Sequence, residues 1–545
     1  MTGPAAGVPV MFLPAGREGT CGRQETLLEA ARRAGVRIAS ACGGLGRCDS
    51  CAVRVEGDVP APSPEDRELM DAAEIAAGWR RACATRPSGP CVVYVPARTA
   101  AACVARGQEG TRAVVPIAEP VFVSSGRDWR RRDGTSVVGP GRPVGLAVDV
   151  GTTNLAASLV DLVTGEVLAK AAKGNPQGAW GADVISRLER ATRGDARRDL
   201  ARAVLSAVDE LGAELTEGAP ETIQEVSLVG NTVMQHLFLG LPVEGLARAP
   251  YRPAERDAVE RPASEMGLTF APGARARFGP NVGGFVGSDH VAALLEVLAD
   301  PPAEPWALVD VGTNTEITLS ARGRRTAVSC ASGPAFEGWR LACGVPAGDG
   351  AIERVRVNGS GVAVETIGGA PPTGLCGSGV LSLLAGLRQF GAVDARGALS
   401  RRNPLVRERN GEREVLLAER DPDRPLVFTQ DDVRTIQLTK AAIRAGFDLL
   451  LAEHGLAEED LGTVLVAGAF GRFLDLGAAR AVGLFPNLAD ERFAKIGNAA
   501  ADGAARLLAC AAARRRAGEI ARDVAHLEPA SNRGFQKTFL RRTSL

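Results

Sequence analysis

The chain has 545 residues, too many for one hydrophobic core, because cores stop growing at roughly 250–300 residues. Lys plus Arg and Asp plus Glu number 64 each, and no extended basic stripe is present, so we exclude nucleic acid as a partner. No charged segment followed by a long apolar run occurs near the N-terminus, so we expect no membrane span and a cytoplasmic protein. Eleven cysteines are too sparse for a disulfide scaffold, and four of them cluster early, which favours a metal site.

The first 97 residues are predicted to form a small domain rich in β-structure. A helix should begin at Ser63, because this N-cap residue is followed by Pro at the first helical position. Hydrophobic periodicity predicts strands at 8–14, 52–56 and 91–96, and an amphipathic helix at 25–35.

Residues 98–143 are rich in Gly, Pro, Arg and Ala and are interpreted as a linker domain. It should contain one strand pair around Val114–Val123. An arginine run at Arg127 and Arg130–Arg132 is interpreted as a solvated face.

From Val144 onward, short β-branched strands alternate with Ala- and Leu-rich helices, which predicts an α/β architecture. One local pattern occurs twice, as VDVGTTN at 148–154 and as VDVGTNT at 309–315. This repeat predicts two related halves, at 144–304 and 305–545.

Four cysteines have ligand-like spacing: Cys42, Cys48, Cys51 and Cys83. Sites made only of thiolates select zinc or iron–sulfur clusters. Three glycines lie between the first two cysteines and let the loop turn its N–H groups toward anionic sulfur, whereas zinc loops usually place two short-spaced pairs. Structural zinc stays open as the alternative at this point.

The cysteine pattern resembles the adrenodoxin-type variant of the plant-type ferredoxins over residues 8–97. The resemblance implies a β-grasp-like α+β fold with a [2Fe–2S] cluster on these four cysteines, and therefore electron transfer. Cys21 and Cys91 are interpreted as core or surface residues.

A strand that ends in Asp and continues into Gly-Thr forms a tight turn whose amides and hydroxyls can face phosphate, while the Asp can hold Mg²⁺ or its water. Two such turns, followed by the Gly-rich turn of VLVAGAFG at 464–471, resemble the superfamily of acetate kinase, sugar kinases, Hsp70 and actin. That superfamily clamps ATP between two ribonuclease-H-like halves. The resemblance implies that Asp149 and Asp310 handle Mg²⁺ and the attacking water. The implied phosphate ligands are Gly151, Thr152, Thr153, Gly312, Thr313 and Asn314, and the implied adenosine loop contains Gly468, Ala469 and Gly471.

Nearly the whole chain resembles the reductive activators of corrinoid enzymes, which are ATPases with a fused N-terminal ferredoxin. The matching segments, in order, are NPQ at 175–177, GADVISR at 181–187, VGNT at 229–232, GPAFEG at 333–338, CGSG at 376–379 and QLTK at 437–440. The sequence departs from the family pattern at Thr315, where Gly is usual, and at Val345, where Met is usual. The resemblance implies ATP-dependent reduction of Co(II) to Co(I) on a corrinoid methyl-carrier protein, an external electron donor and a homodimer.

Two other functions stay open. One is a small-molecule kinase of the same superfamily with the ferredoxin as a redox sensor. The other is an activator of a 2-hydroxyacyl-CoA dehydratase, against which the fused ferredoxin argues. Cys330, Cys343 and Cys376 lack the close pair of an iron–sulfur loop and are interpreted as structural thiols.

Overall fold

The computed structural model describes residues 7–96, 110–135, 137–138, 141–359, 361–409, 411–419 and 425–545. They fall into two compact units. One comprises the described residues up to 96 together with 174–204, and the other those at 110–173 and 205–545. In the described part of the chain, no helix is both long and apolar enough to cross a lipid bilayer. The start of the predicted linker, 98–109, lies outside the described residues.

The N-terminal unit contains a five-stranded sheet with helix α1 packed against it. Its elements are β1 (Val8–Leu13), β2 (Arg17–Cys21), α1 (Leu27–Arg33), β3 (Ala52–Gly57), α2 (Pro64–Leu69), α3 (Ala72–Ala76), β4 (Trp79–Arg81) and β5 (Cys91–Tyr94). The strand order is β2-β1-β5-β3-β4, with β1 and β5 parallel and the other neighbours antiparallel. The predicted strands and helix are confirmed, and a capping box of Ser63 and Asp66 begins α2 as expected. The short strands β2 and β4 were not predicted.

The segment 174–204 belongs to this unit, although its sequence lies in the first predicted ATPase half. It contains a 3₁₀ turn (Pro176–Ala179), α4 (Val184–Ala191) and the beginning of α5 (Ala196–Leu215). Asn175 caps the 3₁₀ turn and Asp183 caps α4. Arg187 is buried and donates a hydrogen bond to the Gly181 carbonyl at 2.8 Å. Part of the NPQ and GADVISR motifs is therefore used for local folding.

The second unit begins with a three-stranded sheet that corrects two predictions. Its strands are β6 (Phe122–Ser125), β7 (Asp128–Arg131) and β8 (Val137–Val138). The strand pair lies later than predicted, because Val114 and Pro120 form isolated bridges to Glu166 and Cys510 and do not pair with each other's segment. Arg131 is buried against Glu225, so the interpretation of the arginine run as a solvated face is wrong for this residue.

Two six-stranded sheets follow. The first is formed by β9 (Val144–Val150), β10 (Asn154–Asp161), β11 (Val167–Gly174), β12 (Ile223–Val229), β13 (Val259–Pro262) and β14 (Arg275–Phe278), and the second by β15 (Trp306–Val311), β16 (Thr315–Ala321), β17 (Arg324–Cys330), β24 (Thr463–Ala467), β25 (Phe493–Gly497) and β26 (Ala525–Leu527). Their orders are β11-β10-β9-β12-β14-β13 and β25-β24-β15-β16-β17-β26. In each sheet three consecutive strands are neighbours, and a later strand pairs in parallel with the first of them. The prediction of an α/β fold with two related halves is confirmed, whereas the bounds 144–304 and 305–545 stay a prediction.

The remaining elements cover these sheets or form small additions. The helices are α6 (Thr232–Leu239), α7 (Ser288–Val297), α8 (Gly377–Gln389), α9 (Gln430–His454), α10 (Ala469–Phe473), α11 (Leu476–Ala481), α12 (Ala499–Ala509), α13 (Ala511–Asp523) and α14 (Arg533–Arg541). Two further three-stranded sheets are formed by β18 (Ala351–Asn358), β19 (Gly361–Thr366) and β20 (Gly374–Leu375), and by β21 (Val406–Arg409), β22 (Glu412–Ala418) and β23 (Leu426–Thr429). Although α12 lies late in the chain, it packs with α7 in the apolar core beside β9.

Candidate functional site

The four predicted cluster ligands come from two segments of the N-terminal unit. Cys42, Cys48 and Cys51 lie on the loop between α1 and β3, here called the cluster loop, and Cys83 follows β4. Cys51 is buried and the other three are half-buried. Three glycines of the loop have positive φ angles between 69° and 83°, a conformation that costs other residues roughly 1–2 kcal/mol. Glycine therefore lets the loop wrap closely around its cysteines.

The cysteine sulfurs form two pairs. Cys48 is hydrogen-bonded to Cys42, which lowers the pKa of Cys42 to about 5 and raises the pKa of Cys48. A hydrogen bond between Cys51 and Cys83 lowers the pKa of Cys83 and raises that of Cys51. Backbone N–H groups of the loop also donate to Cys42. Two thiol pairs supported by N–H donors fit the two irons of a [2Fe–2S] cluster, with two thiolates on each.

The alternative of a structural zinc fits this arrangement less well. Such a zinc gathers four ligands around a single ion. Within the described residues, no three Cys, His, Asp or Glu side chains are placed to hold one metal ion. Cys21 and Cys91 are buried, and burial raises the pKa of each to about 11, so they behave as core thiols.

The two predicted phosphate loops face each other in the second unit. Asp149 lies near the end of β9 and Asp310 near the end of β15. The hydroxyl oxygens of Thr153 and Thr313 are 3.1 Å apart. Both hydroxyls donate to the carboxylate of Glu337. The structure thus brings together the two loops that the sequence repeat singled out.

The turns themselves need small residues and leave one donor without a partner. A Cβ at Gly151 would lie 2.6 Å from the carbonyl oxygen of Asn154, and one at Gly312 would lie 3.1 Å from that of Asn314. The Nδ2 of Asn314 is buried and has no hydrogen-bond partner in the described structure. Buried donors are normally satisfied. A phosphate oxygen would supply the missing acceptor, so these residues fit a nucleotide.

The predicted adenosine loop lies against the second phosphate loop. Gly468 has a φ of 92°, and a Cβ there would lie 2.7 Å from the Val311 carbonyl oxygen and 2.8 Å from Oδ1 of Asp310. Glycine at this position therefore lets the turn after β24 reach Asp310. Ala469 begins α10, and Gly471 lies within that helix.

Four carboxyl groups crowd this site. The side chains of Asp149, Asp289 and Asp310 are half-buried, and that of Glu316 is buried. Burial raises the pKa of Asp149 to about 6, and burial together with the Asp149 charge raises that of Asp310 to about 7. Burial, followed by the neighbouring carboxylates, also raises the pKa of Asp289 and Glu316 well above the usual range. Mg²⁺ is held by one or two carboxylates together with substrate phosphates, so this set of donors fits the ion.

Five residues of this site are not predicted from the sequence: Asn231, Asp289, Glu316, Glu337 and Asn498. Asn231 donates to the hydroxyl oxygen of Thr152 at 3.0 Å, and Asn498 donates to Asp149 at 3.3 Å. Asn231 and Glu337 lie in two of the matching motifs, which was the available signal. The sequence around Asp289 contains no signal of a functional role, because an acidic residue in the first turn of a helix is common.

Three segments match known families. Residues 12–88 match the 2Fe-2S iron-sulfur cluster binding domain, 144–299 match the RACo middle region, and 304–545 match the C-terminal domain of RACo, the ASKHA domain. The chain thus combines an iron–sulfur domain with an ATPase domain of the predicted superfamily.

Relatives cover most of the chain. The corrinoid activation enzyme RamQ of Eubacterium limosum is 32% identical over 415 residues, which are 73% of this chain and 70% of that protein. The [Co(II) methylated amine-specific corrinoid protein] reductase of Methanosarcina barkeri is 27% identical over 387 residues, covering 65% of this chain and 68% of that protein. The solved structure of a reductive activator for corrinoid, iron-sulfur protein matches 99% of this chain and 98% of its own, with a TM-score of 0.69 and 29% identity. The chain therefore belongs to the family of corrinoid activation enzymes.

Proposed function

We propose that the protein uses ATP to drive the one-electron reduction of an inactive Co(II) corrinoid protein to the Co(I) state. The meeting of the two phosphate loops at Thr153 and Thr313, beside the crowded carboxyl groups, is the observation that carries the ATP-dependent part. The substrate follows from the relatives, one of which is a corrinoid activation enzyme and another a reductase of a Co(II) corrinoid protein.

The electron-transfer part of the proposal uses the cluster loop. Cys42, Cys48, Cys51 and Cys83 would hold a [2Fe–2S] cluster, which would supply one-electron transfer when bound. The N–H groups that point at Cys42 favour the thiolate form needed for iron binding. An external reductant supplies the electron.

The nucleotide part uses both halves of the second unit. Asp149 and Asp310 would hold Mg²⁺ together with the phosphates of the nucleotide, and Asp289 is close enough for its pKa to respond to both charges. When nucleotide binds, the hydroxyls of Thr153 and Thr313 would exchange their hydrogen bonds to Glu337 for hydrogen bonds to phosphate oxygens. The Nδ2 of Asn314, which has no acceptor in the described structure, would donate to another phosphate oxygen. The turn at 468–471 contacts adenosine. In this proposal, residues 1–97 are the ferredoxin domain, 98–143 the linker domain, 144–304 the first ATPase half and 305–545 the second.

ATP is needed because the electron transfer is uphill. A ferredoxin-type cluster has a potential of about −400 mV, and each deficit of ~59 mV costs about 1.4 kcal/mol for one electron. A deficit of a few hundred millivolts therefore costs roughly 5–7 kcal/mol. Conformational work driven by nucleotide covers this gap by favouring the partner state in which Co(II) is easier to reduce.

The partner is a corrinoid methyl-carrier protein that binds transiently. The activator works as a homodimer in the cytoplasm.

Anaerobic assays with the cluster-loaded protein test this proposal. ATP hydrolysis and the visible spectrum of cobalt are followed with a chemical reductant, with and without a Co(II) corrinoid protein. We expect ATP hydrolysis to rise when the corrinoid protein is added, and Co(I) to form only when ATP is present. Co(I) formation at equal rates without ATP would refute the coupling. ADP release that depends on a small-molecule acceptor, with no response to corrinoid protein, would identify the kinase instead.

A further inference from the structure

The cluster loop rests on a surface of its own unit that neither the cluster ligands nor the nucleotide site uses. This surface is residues 179–190, here called the docking segment, which begins at the end of the 3₁₀ turn and continues through most of α4. It contains the GADVISR motif, only part of which local folding explains. The docking segment follows the first phosphate loop in sequence and lies in the RACo middle region.

The backbones of the two partners fit closely. The N–H of Ala182 donates to the carbonyl oxygen of Ala41 at 3.3 Å, and both residues are buried. Gly43, next to the ligand Cys42, lies under Trp180. A Cβ at Gly43 would come within 2.1 Å of the Trp180 carbonyl oxygen. This approach is closer than any side chain allows, so the fit requires glycine at this position of the cluster loop.

Two arginines of the ferredoxin part reinforce the contact. The Arg47 guanidinium donates two hydrogen bonds to the Glu189 carboxylate, at 2.7 and 3.2 Å. Arg32, at the end of α1, donates to the Ala179 carbonyl oxygen, and its guanidinium carbon lies 4.9 Å from the ring centroid of Trp180. The side chain of Arg47 is 62% exposed, so its ion pair is weak and open to water. Among these contacts, the ion pair of Arg47 is therefore the one that water replaces most readily.

We propose that residues 179–190 are a docking surface for the cluster loop of the chain's own ferredoxin domain. When the loop is docked, the side at Gly43, adjacent to Cys42, is covered. A soluble electron donor or acceptor then reaches the cluster by that side only after the loop has left the docking segment. This proposal rests on the [2Fe–2S] cluster of the proposed function and does not depend on its corrinoid acceptor.

A charge swap in the full-length, cluster-loaded protein tests the ion pair. Hydrogen–deuterium exchange at the Ala182 amide reports the open state, because that amide is hydrogen-bonded only across the contact in the described structure. We expect Arg47→Glu to raise the exchange rate about two- to five-fold, the size of an exposed ion pair. Combining Arg47→Glu with Glu189→Arg should restore the wild-type exchange rate at the Ala182 amide. Arg198→Ala, which removes an exposed ion pair with Asp195 and leaves Glu189 untouched, should exchange like the wild type.

Two glycine variants provide a matched test of the backbone contact. Gly43→Ala and Gly44→Ala strain the loop alike, with φ angles of 69° and 83°. A Cβ at Gly44 would meet Leu28 at 3.3 Å and would not touch the docking segment. We expect Gly43→Ala alone to speed both exchange at Ala182 and reoxidation of the dithionite-reduced cluster by ferricyanide. Equal behaviour of the two variants, or wild-type exchange in Arg47→Glu, would overturn the proposal. If the alanine variants fail to load iron, the charge swap decides.

Discussion

Arg131 offers a test of how the small three-stranded sheet is attached to the first large sheet. Its side chain is 3% exposed and Glu225 is fully buried. Two nitrogens of the guanidinium donate to Glu225 at 3.1 and 3.2 Å, and one of them also donates to Glu260 at 2.6 Å. The perturbation is Arg131→Met, which keeps much of the apolar length of the side chain and removes its charge.

The expected loss follows from what remains around Glu225. Removing one partner of a buried ion pair costs about 3–5 kcal/mol, because the other charge is left buried. Arg514 still donates to one Glu225 oxygen at 2.8 Å, so the Glu225 carboxylate keeps one charged partner. We therefore expect a loss at the lower end, about 3 kcal/mol. Adding Glu225→Gln to Arg131→Met should recover part of it, since the stranded charge disappears.

The loss is measured as a change in the free energy of unfolding by urea, provided that the m value is the same for both proteins. Arg130→Met is the matched control. Arg130 neighbours Arg131 on β7, but its side chain is exposed. We expect the control to stay within about 0.5 kcal/mol of the wild type, as surface substitutions do. Equal stabilities of the two methionine variants would refute the argument that burial of the pair decides the cost.

Three further predictions concern the site and the core. Cys48→Ser should abolish Co(I) formation and bleach the cluster absorbance while leaving ATP affinity unchanged in calorimetry; loss of ATP affinity would contradict separate sites. Asp289→Asn should raise the Mg²⁺ concentration for half-maximal ATP hydrolysis about 10- to 100-fold, whereas Asp300→Asn, at an exposed position after α7, should not. One ring nitrogen of His236 donates to a backbone carbonyl and the other accepts from two backbone N–H groups, and burial lowers its pKa. The stabilising effect of neutral His236 is therefore lost as the pH falls below about 6.5, by up to about 1.4 kcal/mol per pH unit. In His236→Gln, the free energy of unfolding should fall less steeply as the pH is lowered. An unchanged dependence on pH would show that His236 is not neutral.

The parts of the fold that the sequence predicted are those specified locally. The strands of the ferredoxin part and the N-cap at Ser63 depend on neighbouring residues, and the repeated Asp-Gly-Thr turn marks β9 and β15 equally. Burial of Arg131 could not be predicted, because its partner Glu225 lies 94 positions along the chain. Membership of 174–204 in the N-terminal unit also depends on contacts that no local pattern records.

The same distinction applies to the candidate site. The cysteines are found by spacing, since three of them share one loop. Asp289 reaches the carboxyl groups through the fold of the first half and carries no motif of its own. Glu337 sits inside a matching motif, but its contact with the hydroxyls of Thr153 and Thr313 appears only when both halves are folded. Sequence spacing can identify a loop, whereas convergence of distant loops requires the structure.

The proposed nucleotide site contains a group of crowded carboxyl groups and a buried amide donor without an acceptor, and a single ligand could interact with both. Burial, followed by the neighbouring carboxylates, raises the pKa values of its crowded carboxyl groups, so a cation placed among them would be stabilising. Beside them, the Nδ2 of Asn314 is a buried donor without an acceptor. Protonation would relieve the carboxyl groups but not the amide, and a water molecule would satisfy the amide but not the carboxyl groups. A magnesium nucleotide answers both at once, because its cation pairs with the carboxylates and its phosphate oxygens accept from the amide. The same loops would therefore be most stable with that ligand bound.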